Sequence, residues 1–422
     1  MRILLFLSVL FCCIAASQAQ SFQGHCATTE YLEAQKAADP GLQARLDALE
    51  QQVQDYITRH PRTAMPTLVT VPVVFHVVYN TAAQNIPDPV IWQQMQILNA
   101  DYAKLNSDTV NVPPVWKSIA ASTQIQFVLA NTDTAGNHTS GIIHTQTSVT
   151  SFANSPIDHL INYASQGGAN VWDPLHYLNI WVCNLGNGIL GYTQMPGAGP
   201  ASLDGCVVNC IAVGITGATA PYNLGRTVTH EVGHWLDLIH VWGPGSITAT
   251  GNCSGGSDLV ADTPPEDGAN FSNYAPYTVM TDACSTSAPG YMWQNYLNYT
   301  DDAGMCMFTA GQVQRMQASL YTSRDSIFNS QGFGIETYSA SLPVSCYPSP
   351  STGMVNYLLG PTTGMLQISL VNLEGQRVLS EQHLYNGSTG MLDLSGLPNG
   401  VYIAEFSSEN KHGFQKIVLT KE

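Results

Sequence analysis

His230, Glu231 and His234 open the run HEVGHWLDLIH, and His240 closes it. Two imidazoles four residues apart share one face of a helix, so His230 and His234 can address a single ion. Glu231 lies beside that face, near enough to deprotonate water at the ion without ligating it. His240 cannot share the face comfortably. A helix ending near Leu236 would let the chain turn back and present it as a third ligand. Three neutral nitrogens with an open fourth position describe a catalytic zinc site, since four protein ligands would close a structural one. The turn after the helix asks for a positive φ, where glycine is favoured. Asp237 stands there, and aspartate tolerates that conformation at a cost of about 1 kcal/mol. A His-Glu-x-x-His match alone also arises by chance in surface or core helices. The third histidine, in a chain that begins like a secreted one, argues for the metal.

The elements that must position these residues follow from the texture of the chain. The start, MRILLFLSVLFCCIAASQAQ, has one basic residue, an apolar stretch and a small-residue cleavage site, so residues 1–19 read as a secretory signal peptide. No later run is long and apolar enough to span a bilayer. Residues 20–65 are polar and helix-prone, and end in an exposed, cleavable stretch with Arg59 and Arg62. From Val69 to Tyr79 a β-branched apolar run predicts a buried strand. Ile91, Met95, Leu98 and Tyr102 fall at helical spacing within 89–105. TQIQFVLAN and HYLNIWVCN predict further strands, the histidine run a helix, and TAGQVQRMQASLY a closing helix. The expected fold of residues 66–332 is therefore α/β. After a linker at 333–345, residues 346–422 alternate in LQISLVNL, VYIAEF and QKIVLT, with Glu374-Gly375 and Asn399-Gly400 as turn signals, which predicts a small all-β domain.

Composition narrows the functions. Thirty acidic against fourteen basic residues give a net charge of −16, which disfavours nucleic acid as a partner. Carboxylates in loops suit calcium, available outside cells. Two of the ten cysteines fall in the signal stretch, and in an oxidising compartment some of the others should pair. Cys253 and Cys284 bracket a loop-rich stretch and are the first candidate pair. Cys206 and Cys210 are a second, closing a small loop.

The run GRTVTHEVGHWLDLIHVWG resembles the pappalysin branch of the metzincin zinc endopeptidases, particularly the bacterial cytophagalysin-like members. VPVVFHVVYN, GGANVWDPLHYLNIWVCNLG, DLVADTPPE and NYLNYTDDAGMCMFTAGQVQRM resemble the same family in order and spacing, so the likeness covers roughly residues 66–332. It implies a metzincin-like domain with a twisted mixed sheet and an active-site helix, followed by a β-sandwich. By resemblance His230, His234 and His240 bind zinc, and Glu231 is the general base that activates water. Leu297 takes the place of the family's methionine beneath the metal, a change of similar volume. Tyr299 matches the tyrosine that stabilises the tetrahedral intermediate, or it is a packed core residue. Asp258, Asp262 and Thr263 match a structural calcium site, or Asp-Thr-Pro is a plain turn. Gly304 stands where relatives often have a disulfide cysteine, with Cys306 two positions on. Relatives often prefer arginine at the first primed position, for which Asp301 or Asp302 would be the counter-charge.

Cys26, in QGHCATTEY, resembles the prosegment cysteine that occupies the water's place in pappalysin zymogens, to be released by cleavage near Arg59–Arg62. The alternative is a disulfide, for instance to Cys346. The C-terminal module resembles the sorting domain of type IX secretion cargo, which implies export across the outer membrane of a Gram-negative bacterium and release or surface attachment. The alternative is a carbohydrate-binding or adhesive β-sandwich. Together these readings describe a secreted zinc endopeptidase made as a latent precursor, acting on protein or peptide substrates. The rival is an inactive surface-binding protein on a protease scaffold, for which Asp237 and Leu297 are the only support.

Overall fold

A computed structural model describes residues 24–60, 68–153, 157–244, 247–248, 253, 257–330, 342, 344–359, 364–372, 376–385, 389–408 and 411–421. The signal stretch 1–19, Arg62, most of the 333–345 linker and the Glu374-Gly375 turn lie outside the described residues.

The N-terminal segment forms a two-residue strand β1 (His25–Cys26) and helices α1 (Thr28–Ala38) and α2 (Leu42–Arg59). The main α/β domain then follows with β2 (Val69–Tyr79), α3 (Asp88–Tyr102), β3 (Ile125–Leu129) and β4 (Ile142–Gln146). After them come β5 (Leu178–Cys183), β6 (Ile189–Thr193), β7 (Cys206–Asn209), α4 (Arg226–Trp235) and α5 (Ala310–Thr322). The strands make one mixed sheet in the order β1-β6-β7-β5-β2-β3, with β4 also on β2. β2 is its spine, pairing β3 through its first half, β4 through its second and β5 on its other edge, all parallel. β6 reverses direction, antiparallel to β7, and β1 adds to its free edge in parallel, so these two run against the rest. Strands buried on both faces read as continuous apolar runs, which is why β2 was legible. Strands β4, β6 and β7 are four or five residues long and carry too short a pattern to read from sequence.

Helices α3 and α4 pack on one face of the sheet over a core that includes Ile91, Leu98, Tyr102, Phe75, Val228, Val232 and Trp235. An ion-pair network fixes α4 there. Arg226 bonds Asp101 of α3 and, at 2.6 Å, Asp108, while Thr229 Oγ1 donates to Asp101 at 2.7 Å. Asp302 accepts from the Leu224 and Arg226 N–H groups, satisfying the first orphan donors of α4.

The last domain is a sandwich of two antiparallel sheets. β8 (Val344–Tyr347), β9 (Met354–Leu359) and β12 (Thr389–Asp393) form one, in the order β12-β9-β8. β10 (Gly364–Asn372), β11 (Arg377–Tyr385), β13 (Gly400–Ser408) and β14 (Lys411–Leu419) form the other, in the order β11-β10-β13-β14. Val355, Tyr357 and Leu359 meet Leu366, Ile368, Phe406 and Ile417 across the interior. Leu342 joins that core and β8 starts at Val344, so the domain begins a few residues before 346.

Cys253 and Cys284 are bridged, as expected. Cys206 and Cys210 are not; both are free and buried. Cys206 opens the extended strand β7 and Cys210 lies just past its end. Four residues of strand hold the two Cα atoms about 13 Å apart, beyond the reach of a disulfide. Cys26 and Cys346 are likewise free, which removes the alternative bridge. Cys306 is free in a small apolar cluster with Met292 and Met307.

Candidate metal centre

Helix α4 presents His230 and His234 on one face, and its last carbonyls are closed by a left-handed residue. Asp237 has φ +74°, while the Asp237 N–H donates to His234 O and the Leu238 N–H to Gly233 O. The reversal brings His240 back over the helix, where its ring stacks on Trp242 at 4.3 Å and 6°. Asp237 offsets the cost of that conformation through Arg315 of α5, whose guanidinium meets its carboxylate at 2.8 Å and whose Nε donates to its carbonyl.

The three Nε2 atoms lie 3.1, 3.2 and 3.3 Å from one another. They are not hydrogen-bonded among themselves. His230 Nδ1 faces the Tyr296 carbonyl and His234 Nδ1 the Leu238 carbonyl, each at 2.7 Å. A carbonyl only accepts, so each Nδ1 carries its proton and each Nε2 keeps a bare lone pair. Burial holds the rings neutral, pushing His230 down to about 4 and His234 and His240 well below the ordinary imidazole value. His240 Nδ1 meets Thr29 Oγ1 at 3.1 Å. Three ring nitrogens converging at this spacing, at least two of them with bare lone pairs, suit a cation between them. Three ligands of a tetrahedral zinc at the usual Zn–N length are about 3.3 Å apart. The donor set and its spacing therefore fit zinc. Cys26 Sγ joins the group, with all four ligand atoms within 4.8 Å of one another, and it is the only such group among the described residues.

Leu297 is fully buried beneath the histidines. A Cβ on Gly233 would stand 3.0 Å from Leu297 Cδ2, so this glycine in the motif is what lets the helix sit down on it. The neighbouring Tyr296 carbonyl orients His230, which makes the segment a positioning element for the cluster.

Glu231 is fully buried against β6. Its Oε2 accepts from Thr193 Oγ1 at 2.8 Å and from Thr28 Oγ1 at 3.2 Å, whereas Oε1 has no partner. Burial pushes its carboxyl up to about 7, and the Thr193 hydroxyl, the Cys26 thiol and the Thr28 hydroxyl pull the other way. Tyr299 leans against His230 and His240, and its hydroxyl donates to the Cys26 carbonyl at 2.6 Å. Neither threonine nor this carbonyl was visible in the sequence, since isolated hydroxyls carry no spacing signal.

A cavity of about 30 Å³ lies beside the cluster, lined by Leu190, Tyr222, Thr227, Tyr299, Asp302 and Met305 together with Gly24–Cys26. Asp302 is buried there and also caps α4, so it is not a solvated carboxylate. Asp301 is partly exposed and does not line the cavity.

The three residues expected at a calcium site are only partly brought together. Thr263 Oγ1 lies 2.8 and 2.7 Å from the two Asp258 carboxylate oxygens. Asp262 instead accepts from Thr309 Oγ1 and the Gly311 N–H, because the start of α5 offers it free donors.

The family model described as pregnancy-associated plasma protein-A, a peptidase family, matches residues 162–321. That of a secretion-system C-terminal sorting domain matches residues 345–420. An extracellular metalloprotease of Pyricularia oryzae is 30% identical over 263 residues, 60% of this chain and 76% of that protein. Among solved structures, a promirolysin mutant of Tannerella forsythia is 37% identical with a TM-score of 0.65, over 73% of this chain and 97% of that one. Mature mirolysin from the same organism, in complex with a cleaved peptide, is 42% identical with a TM-score of 0.58, over 62% and 96%.

Proposed function

The chain belongs to the peptidase family described as pregnancy-associated plasma protein-A, and from that premise we propose a latent endopeptidase whose prosegment occupies its own catalytic groups. It is a zinc metalloendopeptidase, secreted through the outer membrane of a Gram-negative bacterium by way of its C-terminal type IX sorting domain. Among the described residues no helix is long and apolar enough to cross a membrane.

In the proposed reading His230, His234 and His240 hold zinc, which when bound polarises the scissile carbonyl and acidifies water. Glu231 takes the proton from the attacking water and returns it to the leaving amine. Tyr299 donates its hydroxyl to the developing oxyanion. What carries the reading is the company of the histidines: a buried carboxylate and a tyrosine that already binds a main-chain carbonyl, both at the three lone pairs.

Residues 20–65 are the proposed prosegment. Cys26 stands as the fourth donor, its carbonyl takes the Tyr299 hydroxyl, and the Thr28 hydroxyl takes Glu231 Oε2. Cleavage between α2 and β2 would release it. The cavity beside the cluster is the proposed first primed subsite, and Asp302 within it favours a basic residue. Calcium is proposed at Asp258 and Thr263, without Asp262.

The test is zinc per chain and casein cleavage by the purified precursor, before and after limited proteolysis, with Glu231→Ala as control. One zinc per chain is expected, with activity after processing and none in the control. A processed, zinc-loaded chain that cleaves nothing across a peptide library would sink the reading. Asp237 and Leu297 are no argument for a dead enzyme: the first has its ion pair, the second is fully buried against Gly233 of the motif.

A further inference from the structure

We infer that Thr193 is a positioning residue that holds the Glu231 carboxylate in its working orientation once the prosegment has left; this rests on the reading of Glu231 as the general base. Two donors reach Glu231 Oε2 in the precursor, and they belong to different parts of the chain. Thr28 is on α1 and departs with the prosegment. Thr193 closes β6 and stays, donating at 2.8 Å. Oε1 has no partner at all among the described residues.

The strand is built around this carboxylate. A Cβ on Gly191 would stand 2.7 Å from Glu231 Oε1 and 2.8 Å from its Cγ. Gly191 and Thr193 are two residues apart, so they share one face of β6 and look at α4 together. The glycine makes room for the side chain, and the threonine hydroxyl fixes its end. Thr193 Oγ1 also lies 3.1 Å from the Glu231 carbonyl, which centres the hydroxyl over that one residue of the helix. In the precursor the Thr193 N–H donates to Thr28 Oγ1 at 2.9 Å, so the same threonine also seats the departing hydroxyl.

A carboxylate held by a single donor samples other rotamers when that donor is lost, and fewer of its orientations reach the proton to be moved. The variant Thr193→Val keeps the β-branched shape and removes the donor. In the full chain activated by limited proteolysis, its kcat on a fluorogenic peptide should fall about ten-fold or more. KM and zinc content should stay at wild-type values, while Tm falls by a few degrees because buried acceptors lose their donor. Thr193→Ser, which restores the hydroxyl, should recover kcat to within about two-fold. A Thr193→Val enzyme with wild-type kcat would overturn the inference. So would a raised KM with unchanged kcat, which would make Thr193 a substrate contact of the edge strand. Glu231→Gln separates the two levels: if it turns over like wild type, the general-base reading has failed, whatever Thr193 does.

Discussion

The proposed prosegment is held at its two ends by different physics. Around β1 and the start of α1, besides the pairing with β6, three polar contacts fall on groups of the proposed mechanism: the thiol at the histidines, a carbonyl on Tyr299, a hydroxyl on Glu231. At α2 the contacts are broad and ordinary. Leu42 and Val53 are fully buried, Tyr56 stacks on Tyr321 at 5.2 Å, Gln314 donates to the Ile57 and His60 carbonyls, and Glu50 pairs Arg315 at 2.7 Å. Apolar burial and ring stacking supply affinity without chemical selectivity. The lesson is a separation of tasks: α2 keeps the segment in place, and β1 decides what is blocked.

The separation is most directly broken at Cys26. Cys26→Ala should leave α2 seated and the precursor folded, yet raise cleavage by the unprocessed chain at least about ten-fold, the factor given by 1.4 kcal/mol of lost competition. Unchanged latency would mean that burial alone blocks the cleft. At the other end Glu50→Ala should cost the precursor about 1–3 kcal/mol, lowering Tm by several degrees, with no gain in activity. Asp237→Gly sharpens the same point. It should destabilise the processed enzyme more than the precursor, because Arg315 then loses its last carboxylate. Equal losses in the two forms would show that Glu50 does not share the load.

The smallest effect expected lies outside this comparison, at Asp258, whose site the prosegment does not touch. Burial pushes its carboxyl up to about 7, against the lowering pull of Thr263 and the Val260 N–H. Between the unfolded value of about 4 and that value the native chain keeps a proton the unfolded chain has lost. Stability should therefore fall as pH rises through this window, and Asp258→Asn should flatten the slope in a Tm series. Calcium favours the ionised form, so its gain in Tm should grow with pH in the wild type and vanish in Asp258→Asn.

The histidines, Glu231, the turn at Asp237 and the long strand β2 were legible because each repeats a spacing or a texture that physics demands. The bridge from Cys253 to Cys284 was legible from loop composition. The failures have separate causes. The Cys206–Cys210 pair was drawn from proximity in sequence, and an extended strand defeats that. Asp258, Asp262 and Thr263 were grouped by resemblance; Thr263 meets Asp258, and Asp262 accepts from the start of α5. Thr28, Thr193 and the Arg226 network act over separations of more than a hundred residues for the most part, and single polar residues leave no periodic trace.

In the proposed zymogen the broad seat of α2 makes activation depend on concentration. In the whole chain the segment would be a tethered ligand at about millimolar effective concentration. A cut in the 61–67 stretch would sever the tether without undoing the seat on α5, leaving a free peptide that competes at the concentration of the enzyme itself. Release would then need dilution as well as the cut.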